Sequence, residues 1–268
     1  MALLTDIDSW PAGKVAKRII SLVPSITETL YDLGLEDEVV GITKFCVHPD
    51  SWFRHKTRIG GTKNVDIKKV LALQPDLIIA NKEENVAEQV MALAKTLPVW
   101  LTDIVTLENS LQMIRDLGAV IGKKDSGLYL ANDIAARFEV LTPLQKPFTV
   151  AYVIWREPWM VAGGDTFIHH LITGIGLQNA FCHLARYPQV DFAISGQLHP
   201  NLVLLSSEPY PFSKKHLAAL QQKLPNSHLQ LVDGEMFSWY GSRLLQAPEY
   251  FSWLVEAWNK EFLSKKPG

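Results

Sequence analysis

Two stretches of this chain repeat each other at a fixed offset, and that offset limits the folds open to it. Val65-Asp66 precedes Leu73-Gln74-Pro75-Asp76, followed by the apolar run Leu77 to Ala80 and then Asn81. Val190-Asp191 precedes Leu198-His199-Pro200-Asn201, followed by Leu202 to Leu205 and then Ser206. Both Val-Asp pairs and both prolines lie 125 positions apart (190 − 65 and 200 − 75). A looser echo comes later: Leu97-Pro98 and Leu224-Pro225 each lead into an apolar run and then an aspartate, Asp103 or Asp233. Spacing held this constant marks repeated structural units, here two α/β lobes.

The surrounding pattern agrees. Short β-branched or apolar runs read as buried strands at Arg18 to Pro24, Val39 to Thr43, Leu77 to Ala80, Val99 to Thr102, Phe148 to Trp155, Leu202 to Ser206 and Leu229 to Val232. Arg58 to Lys63 offers a further short strand and a Gly-Gly turn. Helices are expected between them: one capped by Ser25 and Thr27 and ending at Gly34, then Asp66 to Leu73, a helix closing near Thr96, Leu107 to Ile121, Thr166 to Ile175, Lys214 to Lys223 and Pro248 to Leu263. Strands alternating with helices imply parallel pairing through right-handed crossovers, an α/β fold with mostly parallel sheets.

Between the repeats lies Asp125 to Leu141, where Leu128, Ala131, Ile134, Ala135, Phe138 and Leu141 recur at helical steps. Asp125 or Ser126 is expected to cap it, and Thr142-Pro143 to stop it. At about 1.5 Å per residue such a helix would run roughly 25 Å. The chain therefore divides into an N-terminal lobe over 1–122, a connecting helix over 123–144 and a C-terminal lobe over 145–268.

Composition narrows the function. A formal net charge of -2 with no basic run among aromatics argues against nucleic acid as partner. No apolar run approaches the roughly 20 residues of a membrane span, so no membrane insertion is expected. The first residues are too short and too acidic for a secretory signal, which reads as cytoplasmic, or as periplasmic if a leader has been removed. Nothing in the sequence calls for an oligomer, and the chain reads as a monomer.

Ligands of open α/β sheets gather beyond the carboxyl ends of the strands. In the first lobe those positions hold Ser25, Phe45, His48, Thr62, Lys63, Asn81, Lys82, Glu83 and Glu84. In the second they hold Trp155, Arg156, Trp159, Glu208, Tyr210, Phe237, Trp239, Tyr240 and Arg243. Aromatic walls with a few charges suit a large, flat, partly anionic ligand. Trp253 and Trp258, by contrast, read as core. The glycine-rich, nucleophile and metalloprotease motifs of common enzymes are missing from the sequence, which reads as a non-enzyme. An enzyme using Glu83, Glu84, His48 or Glu208 as acid or base remains the less favoured option. A metal clamp from Cys46 and His48 with Cys182 and His183 is a weaker one still.

The segments RIISLVPSITETLYDLG, IGGTK, LALQPDLIIAN, VAGGDTFI and DGEMFSWYGSR give the chain a more specific resemblance. From about Arg18 to Phe262 it resembles the helical-backbone (class III) substrate-binding proteins of ABC importers, with the cobalamin-binding branch nearest and siderophore- and haem-binding relatives beside it. That resemblance implies two Rossmann-like lobes bridged by one long helix, with a corrinoid, haem-like or siderophore-type metal chelate held between them. The ligand would be carried unchanged, with no covalent cofactor. Phe45 falls where the cobalamin binders place an aromatic side chain, Thr62 where they place a tryptophan, and Trp239, Tyr240 and Arg243 match their late loop. Relatives that dock a transporter present one glutamate per lobe to the membrane subunit. The matching positions here are Lys68 and Ala193. A lysine in place of a glutamate inverts the docking charge, so a sensor or carrier of the same fold that does not dock an importer is the alternative.

Overall fold

The structure, a computed structural model, describes residues 3–192 and 200–263. Its contacts separate two units: Met1–Ile104 with Glu108–Ala136 and Tyr240–Leu245, and Val105–Leu107 with Arg137–Trp239 and Gln246–Gly268.

In the first unit Leu3–Leu4 (β1), Ile19–Ser21 (β2), Val39–Ile42 (β3), Thr57–Arg58 (β4), Leu77–Asn81 (β5) and Val99–Thr102 (β6) form one sheet. The order is β1-β6-β5-β2-β3-β4 and every pairing is parallel. Pro24–Asp32 (α1), Asp50–His55 (α2), Ile67–Ala72 (α3), Ala87–Ala94 (α4) and Leu107–Val120 (α5) connect or follow the strands. Ile20, Leu22, Val70, Ile78, Ala80, Val90, Leu93 and Val99 bury together as its core. Each of the valine, leucine and isoleucine side chains among them contributes about 1.5–3 kcal/mol by leaving water. Asp66 caps α3, its Oδ1 accepting the Lys69 N–H at 3.1 Å.

The start of α1 differs from expectation. Val23 is the cap and Pro24 the first helical residue, so Ser25 and Thr27 lie inside the first turn. Proline suits that place because its missing N–H would have no partner there in any case. Gly34 ends the helix as read from the sequence, at φ +76°.

The second unit contains Lys124–Glu139 (α6) only from Arg137 onward, then Thr149–Trp155 (β7), Met160–Val161 (β8), Phe167–Gly174 (α7), Gln178–Asn179 (β9), Leu202–Ser206 (β10), Lys214–Gln221 (α8), His228–Val232 (β11), Glu235–Ser238 (α9) and Ala247–Leu263 (α10). Strands β11, β10 and β7 pair in parallel, β8 joins β7 antiparallel, and β9 pairs with the start of β7. Short β1, β8, β9 and α2 carry too little periodicity to be read from sequence.

The duplication is physical. Strands β5 and β10 keep the 125-residue offset at both ends. Each is flanked by parallel neighbours, β2 and β6 in one sheet, β7 and β11 in the other. The mostly parallel α/β fold is therefore as read.

Helix α6 spans 16 residues, and the chain passes from the first unit to the second within it, between Ala136 and Arg137. Its buried face is Gly127, Leu130, Ala131 and Ile134, while Leu128, expected on that face, is exposed. The cause is Gly118 on α5: a Cβ on Gly127 would stand 2.9 Å from the Gly118 Cα. Two glycines let the helices cross nearly in contact, and that crossing selects the face. Asp125 and Ser126 fall inside the first turn and do not cap it.

Trp258 is core, its Nε1 donating to Gln230 Oε1 at 2.7 Å, but Trp253 is 59% exposed. Five residues on a helix turn about 140° net, so the two tryptophans cannot share one face.

Candidate functional site

In the first unit, the loops after β3, β4 and β5 carry the residues of interest. Phe45 is half exposed, with the Lys44 ammonium 5.1 Å from its ring centroid. Gly61 lies against that ring: a Cβ there would meet the Phe45 edge at 3.1 Å. Behind Phe45 is Cys46, fully buried, its Sγ within 3.1 Å of the Thr27 hydroxyl and 3.2 Å of the Thr43 hydroxyl. Burial pushes the Cys46 thiol up, away from the thiolate that binds metals. No group of three or more His, Cys, Asp or Glu suited to a metal ion occurs among the described residues. The proposed clamp of Cys46, His48, Cys182 and His183 therefore has no support in the coordinates.

The turn after β5 is built by two buried asparagines. Asn81 Oδ1 accepts the N–H groups of Glu83 (2.8 Å) and Glu84 (3.2 Å). Asn85 Nδ2 reaches the carbonyls of Leu22 and Thr62. Asn81, expected to face ligand, is 1% exposed and braces the turn instead. Thr62 is also buried, whereas Lys63 is exposed and donates to the Glu83 carbonyl. His48 is half-buried, and a positive charge there would lower the Glu28 pKa.

In the second unit the loops after β7 and β10 hold a run of touching rings. Trp155, 39% exposed, meets Tyr210 edge-on at 5.5 Å between centroids. Tyr210 contacts Phe212 at 4.6 Å, and Phe212 stacks parallel to Trp159 at 6.0 Å. Arg156 lies 5.8 Å over the Trp159 ring and pairs with Glu157 at 3.1 Å. Glu208 Oε1 accepts from the Ser238 hydroxyl and the Trp239 indole, both at 2.7 Å.

Four expected ligand contacts of the late segment prove to be interior. Phe237 is fully buried against Tyr152, Tyr250 and Phe251 because α9 turns it into the core. Trp239 and Tyr240 are at most 6% exposed. Arg243 forms a buried fork with Glu28, Nε to Oε2 at 3.0 Å and Nη2 to Oε1 at 2.6 Å. Burial raises the Glu28 pKa, outweighing the opposing pull of Arg243. The same segment is fixed by Ser242 N–H to Thr29 Oγ1 (2.9 Å) and Gly241 N–H to Ser110 Oγ (3.0 Å).

Three contributors were not anticipated: Glu28, Asn85 and Phe212. Asn85 has a faint signal in the pair Asn81 and Asn85, and Phe212 in its place two residues after Tyr210. Glu28 has none, since its partner lies more than two hundred residues away.

A family model described as periplasmic binding protein matches residues 19–227. The chain belongs to the periplasmic binding protein family. A vitamin B12-binding protein of Vibrio campbellii is 25% identical over 248 residues, 90% of each chain. One of Yersinia pseudotuberculosis is 32% identical over 211 residues, 77% of this chain and 75% of that one. Among solved structures, a periplasmic haem-binding protein of Roseiflexus in its apo form superposes with a TM-score of 0.74 at 22% identity, covering 91% of this chain and 99% of that one. A periplasmic vitamin B12-binding protein of Vibrio cholerae gives 0.72 at 21% identity, with 91% and 98% covered. These relatives are named as binding proteins. Among the described residues no helix is long and apolar enough to cross a membrane.

Proposed function

We propose that the chain is the ligand receptor of an ABC importer and binds a metal chelate of corrinoid, haem-like or siderophore type. The observation that carries this reading is the pair of half-open aromatic faces at strand carboxyl ends, Phe45 in one sheet unit and Trp155 with Tyr210 in the other. Rings held in place by their neighbours, Trp155 and Tyr210 by each other and Phe45 by Lys44 and Gly61, bind a broad, flat guest with little loss of side-chain freedom. The relatives' names favour action in the periplasm or at the cell surface over the cytoplasm. The ligand is a passenger, not a resident cofactor, and no role as acid or base is assigned to Glu83, Glu84, His48 or Glu208.

Cyanocobalamin, hemin and a ferric hydroxamate should be titrated into the protein by calorimetry. At least one binds more tightly than about 0.1 mM, roughly 5.5 kcal/mol; failure of all three refutes the reading. Phe45→Ala or Trp155→Ala weakens that binding by about 1–3 kcal/mol.

A second reading, a carrier that does not dock a transporter, is favoured by one observation. Lys68 is exposed on α3, at the position where the family resemblance implies a docking glutamate. Ala193, at the other docking position, lies outside the described residues. Stimulation of an importer's ATPase activity by the loaded protein would exclude this reading.

A further inference from the structure

Behind the half-open pair of Trp155 and Tyr210 stands a buried histidine, His216, 3% exposed in the first turn of α8. Its ring meets Tyr210 edge-on at 5.4 Å between centroids and Phe212 at 5.6 Å, so it backs two rings of the wall.

The segment 209–213 that carries Tyr210 is poor in backbone donors. Neither Pro209 nor Pro211 has an N–H to give, and the Phe212 N–H turns back to the Tyr210 carbonyl at 2.8 Å. The Ser213 N–H is given to His216 Nδ1 at 2.9 Å, closing the capping box that starts α8. A backbone N–H can only donate. Nδ1 is therefore the bare nitrogen, and the neutral ring carries its hydrogen on Nε2, which faces the Tyr210 hydroxyl at 3.5 Å.

One ring thus joins the start of α8 to the Tyr210 side chain. A second proton would set an N–H at Nδ1 against the N–H of Ser213, donor against donor. It would also add a positive charge in a buried place faced by Lys215 on α8 and Arg156 on the loop after β7, with Glu157 opposing them.

We propose that His216 is the positioning residue of this ring wall and makes its hold on a chelate dependent on pH: the neutral imidazole fixes Tyr210 against Trp155, and the imidazolium releases the pair. The inference rests on the chelate-receptor reading. Tight holding is present above the folded-state pKa of His216 and lost as pH falls through it. Burial, then Lys215 and Arg156, place that value below the ordinary 6.5.

The test titrates cyanocobalamin, hemin and a ferric hydroxamate into wild type and His216→Gln at pH 7.5 and pH 5, with circular dichroism to verify folding. Glutamine at the third helical position can still accept the Ser213 N–H but takes up no proton in this range. For a chelate that binds, wild-type affinity falls at least about threefold between pH 7.5 and pH 5, while that of His216→Gln changes less than about twofold. Titration of the chelate itself is common to both proteins and cancels in the comparison. A role confined to stability would shift the melting temperature and leave the affinity of the folded protein level. Equal wild-type affinity at the two pH values overturns the inference, as does a variant that loses affinity in step with wild type; both leave the receptor reading intact. Absence of binding to every chelate at pH 7.5 overturns both. Nitrogen-15 NMR of the wild-type imidazole is a measurement that needs no variant: a hydrogen on Nε2 at pH 7.5 is expected, and one on Nδ1 overturns the inference.

Discussion

Replacing Arg243 by alanine should destabilise the first unit by about 3 kcal/mol, because it strands a buried carboxylate. The side chains of Arg243 and Glu28 are 10% and 14% exposed and share two charge-assisted hydrogen bonds. Breaking a buried pair by removing one member costs about 3–5 kcal/mol. The low end applies because Glu28 keeps some contact with water and can take up a proton. The assay is urea unfolding followed by circular dichroism, with the loss taken from the midpoint at unchanged slope.

Two controls make the reasoning specific. Glu28→Met with Arg243→Met removes both charges and should return to within about 1 kcal/mol of wild type. The penalty of Arg243→Ala should also shrink in acid. The folded-state pKa of Glu28 is raised above the ordinary 4.5, chiefly by burial. Its favourable contribution is therefore complete below about 4.5 and lost as pH rises through the folded value, so the variant suffers more at pH 7 than at pH 4.5. A loss under about 1 kcal/mol at pH 7, or no recovery in the double variant, refutes the buried-pair account. Chelate titration of the same double variant separates a structural Arg243 from a ligand-binding one.

Gly127→Ala would normally gain helix propensity, but here its Cβ meets the Gly118 Cα and the Ile114 carbonyl at 2.9 Å; a net loss of about 1–2 kcal/mol in thermal unfolding is expected, and any stabilisation counts against the close crossing. His216 is buried, and its Nδ1 accepts the Ser213 N–H at 2.9 Å. Burial, then the charges of Lys215 and Arg156, lower its pKa, so its contribution is present above about 6.5 and lost as pH falls through the folded value; His216→Gln should flatten the decline in melting temperature between pH 7 and pH 5. Of the two thiols, exposed Cys182 should react promptly with Ellman's reagent and Cys46 only after unfolding in urea; prompt reaction of both would contradict the packing around Thr27 and Thr43.

Much of the architecture could be read directly because it is local. A strand such as Val99–Thr102 or Leu202–Ser206 declares itself by a few adjacent apolar residues between turn-formers, and both appear at the expected bounds. Caps failed where two readings compete over one turn. Ser25 and Thr27 are good caps in isolation, but Pro24 fits the first helical position better and moves the boundary by a residue or two.

The candidate site was legible only as a neighbourhood. Sequence placed Phe45, Trp155, Tyr210 and Glu84 at strand ends, and the coordinates keep them there with partly open side chains. It could not tell them from Asn81, Phe237 and Arg243, which are equally polar or aromatic and only a few residues away, yet turn inward.

The order of strands and helices, the two α/β units and the 125-residue echo between β5 and β10 were written in the chain itself, since periodicity and spacing need no partner to be expressed. Which side of α6 is buried, which rings remain open and which charges are already paired depended on Gly118 meeting Gly127 and Arg243 meeting Glu28. Those encounters join residues far apart in sequence, and a linear pattern holds no record of the distance that closes between them.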